Sequence, residues 1–599
     1  MQEIFSMPSL LNKIKRLLVL MGVPIRKCPL FFSFMYLLGA LCIWCTSDRV
    51  YTSFFIKLFL ELFFDVYVLS LVLSFFPKNW KNILAGLIAM LLYLVAIVDL
   101  FCIVRLSSPI SPSIIRLIAE TNSQETSEFI NAYINSDIIW SPVGAVVLLC
   151  IMHIAATCEL HRKQLHAIKS PAIAGIIVCG LLVCGLLASL KNKKYIIDVW
   201  QLDSIGKVEK YFGNNFFASR AFYLPVYRLA FAIHANRLTA GEIRELLEAG
   251  SRATVQSCSY SSPTIVLIIG ESYNKHHSQL YGYSLPTTPN QKRRQEEGEL
   301  VVIRDAVTPY NLTGDVLKNA FSLNNLSEGE SWSEKPLFTQ YFKKAGYDVT
   351  FLSNFFVIKE QKDFADFSGG FFLNDVRLST TQFNRRNVGT HRFDEQLLDD
   401  YQHLTAVDKL HRLVIFTLTG QHVDYKDRFP STWKRFNPQD YHRPGLQPKE
   451  LQVVADYDNA TLYNDYIVER IIRLFENDDA VILYLADHGE EVYDEIRIFG
   501  RQHNEDIPKA MAKNEFQVPF WIWTSPSYRE HHPILQEQIQ TAASKPFFSD
   551  DLSQVTLYLG GIECVDYRDS LNILSNGYDA NRKRQLRGKI DYDKLMRKP

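Results

Sequence analysis

The chain has 599 residues, enough for two or more domains, and its 64 basic and 64 acidic residues give a formal net charge of zero. This balance gives no indication of a nucleic-acid-binding surface, so we expect no nucleic-acid partner. The apolar residues are concentrated in the first third of the sequence. That asymmetry indicates a membrane part followed by a more polar part.

Five stretches of the first third are long and apolar enough to cross a bilayer, which takes roughly 20 residues. They cover residues 28–47, 50–76, 82–104, 138–158 and 170–190. No small-residue cleavage pattern follows the first stretch, and we interpret it as an anchor rather than a signal peptide. The sequence therefore predicts a five-span α-helical transmembrane domain over residues 1–190.

Basic residues in short loops predict the orientation of these spans. The N-terminus, the loop with Lys78 and Lys81 and the loop HRKQLHAIK (161–169) fall on one side, which we assign to the cytoplasm. An odd number of spans then places everything after residue 190 outside. The KNKK run at 191–194 argues against this orientation, but three loops support it.

The second predicted span contains ionisable residues, which are costly inside a membrane. Lys57, Glu61 and Asp65 are spaced four apart and share one helical face, and Asp99 lies near the outer end of the third span. Two interpretations stay open. These side chains pair with one another and hold helices together, or they line a cavity for a lipid headgroup.

A juxtamembrane connector is predicted over residues 191–258. Its segment AFYLPVYRLAFAIHAN (221–236) is typical of a helix lying in the membrane interface, and an ordinary packed helix is equally compatible. Eight of the ten cysteines lie in or next to apolar runs, which leaves Cys258 and Cys564 in the polar part. A disulfide between these two and a pair of free thiols both stay open.

Residues 259–599 alternate short β-rich runs with helical segments. Nearly continuous apolar runs are typical of strands buried on both faces, as in an α/β domain whose central sheet is covered by helices. The predicted strands are TIVLIIG (264–270), ELVVIRDAV (299–307), YDVTFLSN (347–354), RLVIFTLTG (412–420), AVILYLA (480–486) and VPFWIWTS (518–525).

Reactive side chains follow several of these strands, where α/β sheets place their functional residues. Glu271 comes directly after the first strand, Asp487 and His488 follow the fifth, His422 follows the fourth, and Thr313 precedes a helical run. Carboxylates and a histidine form a ligand set that Zn²⁺ accepts. Such a metal polarises a phosphoryl oxygen and activates a hydroxyl nucleophile.

Each of these residues also has an ordinary structural interpretation. A carboxylate or a threonine before a helix is often only a helix cap. Their combination at successive strand ends favours a metal site, and a threonine at a helix N-terminus adds a position where backbone N–H groups receive a phosphate.

At these residues the chain resembles the phosphoethanolamine transferases that modify lipopolysaccharide, in the alkaline phosphatase/sulfatase superfamily. The resemblance covers nearly the whole chain and is greatest to enzymes acting on core heptose. It rests on GES (270–272), LYGYSLPTTPN (280–290), AVTPYNLT (306–313), TGQHVDYKDRFP (419–430), DYDNATLYNDYIV (456–468), ADHGEEVYD (486–494) and HNEDIP (503–508).

The resemblance implies roles for individual residues. Glu271, Thr313, Asp487 and His488 would hold zinc, with Mn²⁺ and Mg²⁺ as open alternatives, and Thr313 would also be the nucleophile. His422 would bind the phosphate, hold a second metal or protonate the leaving group. The further substrate-binding residues that it implies are His503, Lys359, Asn122 and Glu125.

The implied reaction moves phosphoethanolamine from phosphatidylethanolamine to a core sugar or lipid A of lipopolysaccharide, or to a related envelope glycan, through a phospho-threonine. The implied protein is a monomer of the bacterial inner membrane with a periplasmic catalytic domain (259–599). Lipid A modifiers of this family usually carry several disulfides there, whereas this chain can form at most one, which weakens lipid A as the acceptor. The alternatives are a phosphoglycerol transferase of the lipoteichoic-acid or osmoregulated-glucan type and a non-catalytic membrane sensor or scaffold.

Overall fold

A computed structural model describes residues 15–46, 52–106, 109–111, 115, 136–160, 171–215, 217–356, 370–404, 410–502 and 506–597. The described residues divide into two compact units, the first reaching Thr239 and the second beginning at Ala240. The domain boundaries after residues 190 and 258 stay predictions.

Long helices form the first unit, and a helix lies at each of the five predicted spans. Four of these helices, which begin at Pro29, Lys78, Pro142 and Pro171, are long and apolar enough to cross a membrane, counted over the described residues. The fifth, α3, is 23 residues long and carries the three ionisable side chains of the second predicted span. The helices are α1 (Val23–Lys27), α2 (Pro29–Thr46), α3 (Thr52–Ser74), α4 (Lys78–Leu106), α5 (Pro142–Leu160), α6 (Pro171–Trp200), α7 (Ile205–Asn214) and α8 (Pro225–Arg252).

Ion pairs between helices involve the three carboxylates of the second and third predicted spans. The Nζ of Lys193 lies 3.1 Å from Oε1 of Glu61 and 2.8 Å from Oδ2 of Asp65. Arg228 on α8 pairs with the buried Asp99 on α4. Lys193 belongs to the KNKK run, which continues α6 beyond the predicted end of the last span. One lysine of that run is therefore an internal counter-ion for α3.

The aromatic segment of the predicted connector forms the first half of α8. Phe231, Ala232 and Ala235 are fully buried, and Ala232 packs with Val95 and Ile110. This packing is typical of an ordinary packed helix, the second of the two interpretations of this segment.

A mixed sheet of seven strands forms the centre of the second unit, in the order β3-β11-β8-β2-β7-β5-β6. Strands β8, β2, β7, β5 and β6 run parallel, and β11 is antiparallel to both of its neighbours. The strands are β1 (Val255–Cys258), β2 (Thr264–Gly270), β3 (Leu300–Ile303), β4 (Ala306–Val307), β5 (Asp348–Ser353), β6 (Arg385–Arg386), β7 (Arg412–Thr417), β8 (Ala480–Ala486), β9 (Glu491–Val492), β10 (Phe499–Gly500), β11 (Phe520–Thr524), β12 (Phe547–Phe548), β13 (Ile562–Cys564), β14 (Gln585–Leu586) and β15 (Ile590–Asp591).

Helices surround this sheet, and every residue of the central strands β2 and β8 is buried. Five of the six predicted strands each contain one strand of this sheet, and the predicted strand ELVVIRDAV divides into β3, in the sheet, and β4, which pairs with β12 instead. The predicted α/β domain with a helix-covered sheet is confirmed. The helices are α9 (Pro289–Glu296), α10 (Thr313–Phe321), α11 (Phe338–Ala345), α12 (Phe371–Asn374), α13 (Val376–Gln382), α14 (Gln396–Leu404), α15 (Pro448–Leu474), α16 (Lys509–Met511), α17 (Pro526–His531), α18 (Pro533–Ala542), α19 (Leu552–Gly560) and α20 (Tyr592–Arg597).

Cys258 and Cys564 lie on paired strands, β1 and β13, but not opposite each other. Cys258 faces Ile562, while Cys564 faces Val255. Both are free thiols, and the Sγ of Cys258 donates to the carbonyl of Gly560.

Candidate metal centre

The two carboxylates of the candidate site follow adjacent parallel strands. Gly270 at the end of β2 pairs in register with Ala486 at the end of β8, so Glu271 and Asp487 leave the sheet side by side. The N–H of Asp487 donates to the carbonyl of Gly270 at 2.9 Å, which fixes the two strand ends together. Both side chains are buried, as expected for carboxyl ends of strands inside an α/β sheet.

Glu271, Asp487 and His488 form a group whose ligand atoms all lie within 4.8 Å of one another. The Nε2 of His488 is 3.4 Å from Oε1 of Glu271 and 3.1 Å from Oδ2 of Asp487. Throughout the described part of the chain, no other set of three His, Cys, Asp or Glu side chains is close enough to share a metal ion in this way. The structure therefore brings together three of the four predicted ligands.

The fourth predicted ligand, Thr313, reaches the same point from the other side. Its Oγ1 lies 3.1 Å from Oε2 of Glu271 and 3.2 Å from Nε2 of His488. Thr313 is the first residue of α10, and the preceding Leu312 supplies no side-chain cap. The hydroxyl thus stands beside N–H groups that a helix N-terminus offers to an anion.

The tautomer of His488 follows from its surroundings. Its Nδ1 lies 2.8 Å from the carbonyl of Gly489 and donates to it, which leaves the lone pair of Nε2 facing the carboxylates. Burial lowers the pKa of this imidazole, and the nearby Arg501 lowers it further. A neutral ring oriented by a carbonyl on its other nitrogen is the state in which histidine binds a metal.

One carboxylate oxygen of the site lacks a partner. Oδ1 of Asp487 accepts from the N–H groups of Ser272 and His488, at 3.0 and 2.7 Å. Oδ2 is buried without a hydrogen bond, because the Nε2 that lies nearby carries no proton. Burial raises the pKa of Asp487 well above its ordinary value, and the facing Glu271 carboxylate raises it further.

These observations fit a divalent metal. Two carboxylates, an imidazole lone pair and a hydroxyl converge, which is the mixed oxygen and nitrogen set that Zn²⁺ binds and Mn²⁺ accepts. A cation between Glu271 and Asp487 would remove their repulsion and give the orphaned Oδ2 a partner.

Backbone conformation brings the strand ends into this arrangement. Ser272 has φ 55°, in the left-handed region that non-glycine residues rarely adopt, and its hydroxyl donates to Oε1 of Glu271 at 2.7 Å. Gly420 has φ +50°, and a Cβ there would lie 3.0 Å from the carbonyl oxygen of Glu271. That oxygen accepts from the N–H of Gln421, so only glycine permits this close approach.

His422 lies at the edge of the site on the loop after β7. Its ring packs edge-on against Phe355, 5.3 Å between centroids, and does not belong to the three-residue ligand group. Burial lowers its pKa, and the charge of Glu271 acts in the opposite direction. His503, Lys359, Asn122 and Glu125 lie outside the described residues.

Sequence reasoning missed Arg501, whose Nη1 lies 2.9 Å from Nε2 of His488. It also missed Asn311, which donates to Oε2 of Glu515 at 2.6 Å and to the carbonyl of Gln502 at 2.8 Å. Arg587 in turn donates to Oδ1 of Asn311. These contacts fix the loop two residues before Thr313. No strand-end pattern marks any of them in the sequence.

Comparison with known proteins gives consistent matches. The model of the family described as Sulfatase matches residues 263–566. Phosphoethanolamine transferase EptC of Escherichia coli (strain K12) is 27% identical over 474 residues, 76% of this chain and 77% of that protein. Phosphoethanolamine transferase CptA of Salmonella typhimurium is 26% identical over 552 residues, 87% of this chain and 88% of that protein.

Among solved structures, the chain is similar to the C-terminal periplasmic domain of EcEptC from Escherichia coli in complex with Zn. The identity is 26% and the TM-score 0.48, over 57% of this chain and 96% of that one.

Proposed function

This chain belongs to the sulfatase family, and from that premise we propose that it transfers phosphoethanolamine from phosphatidylethanolamine to lipopolysaccharide or a related envelope glycan. The observation that carries the proposal is the Thr313 hydroxyl, held between Glu271 and His488 at an uncapped helix N-terminus. The names of the relatives support phosphoethanolamine as the transferred group.

In the first step, Oγ1 of Thr313 attacks the phosphorus of the donor. The new Oγ1–P bond forms as the bond from phosphorus to the diacylglycerol oxygen breaks, and diacylglycerol leaves with a proton. Oε2 of Glu271 accepts the hydrogen bond of the Thr313 hydroxyl, takes its proton as the Oγ1–P bond forms, and returns it when that bond breaks in the second step. His422 is the proposed proton donor to the leaving oxygen, because its half-buried ring is close enough to the site for the charge of Glu271 to act on it, and it recovers a proton from the acceptor hydroxyl in the second step.

In the second step, a hydroxyl or phosphate oxygen of the acceptor attacks the same phosphorus. The acceptor–P bond forms, the Oγ1–P bond breaks, and the Thr313 hydroxyl is restored. N–H groups at the start of α10 receive the phosphoryl oxygens in both steps. A zinc ion held by Glu271, Asp487, His488 and Thr313 would lower the pKa of the hydroxyl and offset the phosphoryl charge.

The proposed location follows from the lipid donor. Apolar helices of membrane-spanning length support an integral membrane protein, for which we propose the inner membrane, with the N-terminus in the cytoplasm and the catalytic domain in the periplasm. Both core sugars and lipid A are proposed acceptors, and the protein is proposed to act as a monomer.

A donor-only incubation tests the proposal. Purified full-length chain, incubated with phosphatidylethanolamine and no acceptor, is expected to gain one phosphoethanolamine group on Thr313, detected by peptide mass spectrometry. Thr313→Ala abolishes both the adduct and the transfer, while Thr313→Ser keeps some of each because the hydroxyl survives. Thr308→Ala is the matched control, since its hydroxyl is buried and hydrogen-bonded to Ser549.

The outcomes separate the alternatives. A phosphoglycerol adduct from phosphatidylglycerol would replace the proposal with a phosphoglycerol transferase. A metal-loaded chain that forms no adduct with either lipid would favour the sensor or scaffold. Near-normal transfer by Thr313→Ala would rule out the covalent mechanism.

A further inference from the structure

A cavity of about 1060 Å³ lies within the first unit, and none of its lining residues belongs to the candidate metal centre. Its walls come from α1, α2, α4 and α5, and its lining includes the apolar side chains of Met90, Leu94, Ile97 and Ile154. This volume is large enough for part of a lipid. The apolar wall suits an acyl chain.

Three cations line the same cavity, namely Arg26, Lys27 and Lys81. They come from α1 and from the first turn of α4, and Thr157 and Cys158 near the end of α5 lie with them. The charged groups therefore gather at one end of these helices. The loop charges predict that this end faces the cytoplasm.

These cations are not neutralised by the walls of the cavity. Lys27 donates from Nζ to the carbonyl of Ser74 at 3.1 Å, and Lys81 donates to the carbonyl of Lys27 at 2.7 Å. Arg26 donates to the carbonyls of Gly22 and Val19. No carboxylate is among the lining residues of the described chain. Carbonyl dipoles hold the groups in place but leave three positive charges together.

A second cavity among the described residues of this unit shows the contrast. It has a volume of about 580 Å³ and is lined by Asp65 and Lys193, which pair with each other. There the protein supplies both signs of charge. At the larger cavity it supplies only one.

We propose that the larger cavity binds one anionic glycerophospholipid of the leaflet that faces this end of the helices. The phosphate lies among Arg26, Lys27 and Lys81, and an acyl chain follows the wall formed by Met90 and Ile154. Juxtamembrane basic clusters attract the anionic lipids of a membrane surface. This site is independent of the catalytic proposal, whose donor is zwitterionic and reacts in the second unit.

Native mass spectrometry of the full-length chain in detergent tests the charge requirement. Phosphatidylglycerol is added in one arm and phosphatidylcholine of the same acyl chains in the other. We expect one phosphatidylglycerol to stay bound under activation that strips phosphatidylcholine. Arg26→Gln/Lys27→Gln/Lys81→Gln weakens phosphatidylglycerol binding by roughly tenfold or more. The matched control Lys15→Gln/Arg16→Gln/Lys78→Gln removes the same charge from the same predicted side outside the lining and keeps wild-type binding.

A second pair of variants tests the acyl-chain wall without changing charge. Gly86 lines the cavity, and a Cβ built on it meets no atom within 4 Å, so Gly86→Leu projects into open space. We expect this variant to fold and to lose the tightly bound lipid. Gly180→Leu is the control, because Gly180 has equal room but does not line the cavity.

Equal retention of the two lipids by the wild type would overturn the proposal. So would equal losses in the cavity and control variants, or displacement of the lipid by inorganic phosphate at the lipid's concentration. If membrane fractionation shows that the triple glutamine variant no longer inserts, lipid binding by Gly86→Leu decides whether the proposal holds.

Discussion

Two buried clusters in the second unit have nearly the same composition, one histidine with two carboxylates, yet the protein treats them differently. At the candidate metal centre, His488 faces Glu271 and Asp487. Elsewhere in the same unit, His277 faces Asp458 and Asp494, at 2.6 and 3.1 Å. Both histidines are fully buried.

The second cluster is satisfied by protein groups alone. Burial lowers the pKa of His277, but the charges of Asp494 and Asp458 raise it to about 10, so the ring is an imidazolium between two carboxylates. Arg443 adds a second cation 2.9 Å from Asp494, and the hydroxyl of Tyr283 donates to Asp458 at 2.8 Å. No lone pair is left for a metal.

The candidate centre has the opposite balance. Its histidine is neutral, its two carboxylates face each other, and Oδ2 of Asp487 has no donor. Residue type alone therefore does not distinguish a metal-binding site from a structural ion pair. The distinction is how much positive charge the protein itself supplies. In the second cluster two cations, His277 and Arg443, balance two carboxylates. At the candidate centre Arg501 supplies one positive charge beside two carboxylates.

The largest expected effect comes from changing the carboxylates of the two clusters. Glu271→Gln and Asp487→Asn each remove a negative ligand, so metal content falls and transfer drops by at least about a thousandfold. Asp494→Asn, the matched change in the satisfied cluster, keeps wild-type metal content. Elemental analysis and a lipid transfer assay measure both. A metal-free wild type, or metal loss in Asp494→Asn, would remove the distinction between the clusters.

His422 provides a sharper test, since it lies beside the centre but outside the ligand group. His422→Ala is expected to lower the turnover rate by about a hundredfold, the usual range for losing a general acid, while metal content stays near the wild-type value. His391→Ala, at a surface histidine paired with Asp400, is the control and leaves both unchanged. Complete metal loss in His422→Ala would instead make His422 a ligand.

Stability is expected to change in opposite directions at the two clusters. In metal-free protein, Asp487→Asn removes the repulsion with Glu271 and raises the apparent Tm. Asp458→Asn leaves the His277 charge less compensated in a buried position and lowers the free energy of unfolding by about 3 kcal/mol. Thermal scans of the full-length chain in detergent and chelator compare them. A decrease in Tm for both variants would mean that both clusters are structural.

The sequence predicts the catalytic fold well because each strand is a local apolar run. AVILYLA coincides with β8 and TIVLIIG with β2, and all residues of both strands are buried, as their continuous apolar runs predict. The two-residue strand β6 carries no such pattern, since Arg385 and Arg386 join the edge of the sheet only through pairing with β5.

The sequence predicts those residues of the candidate site that directly follow a strand. Glu271, Asp487 and His488 follow strands directly, so parallel register brings them together. Arg501 approaches His488 from a loop, and nothing local in the sequence marks that approach. The sequence does not distinguish the metal centre from the His277 cluster, because the two differ in hydrogen-bond and ion-pair partners that are distant along the chain.

The last expected effect is a pH dependence that comes from His277 in the satisfied cluster. The pKa of His277 is about 10 in the folded chain against an ordinary value of 6.5, so the folded state binds more protons between these values. The stabilisation is therefore complete below pH 6.5 and is lost as pH rises through 10.

For Asp494, burial raises the pKa but His277 and Arg443 lower it to about 2, so its stabilisation is lost only below about pH 4. The cluster also contains Asp458 and the tyrosines Tyr283, Tyr441 and Tyr457, whose raised pKa values keep them neutral across this window. We expect His277→Gln to be less stable than its parent at pH 6, and the difference in stability between them to be constant from about pH 4 to 6.5 and to shrink towards pH 10. Carrying out the measurement in the Glu271→Gln background removes metal binding from the comparison, and His391→Gln controls for a surface histidine. If the difference in stability between the parent and His277→Gln does not shrink as pH rises from 6.5 to 10, then His277 is not the imidazolium that neutralises this cluster, and the contrast with the metal centre fails.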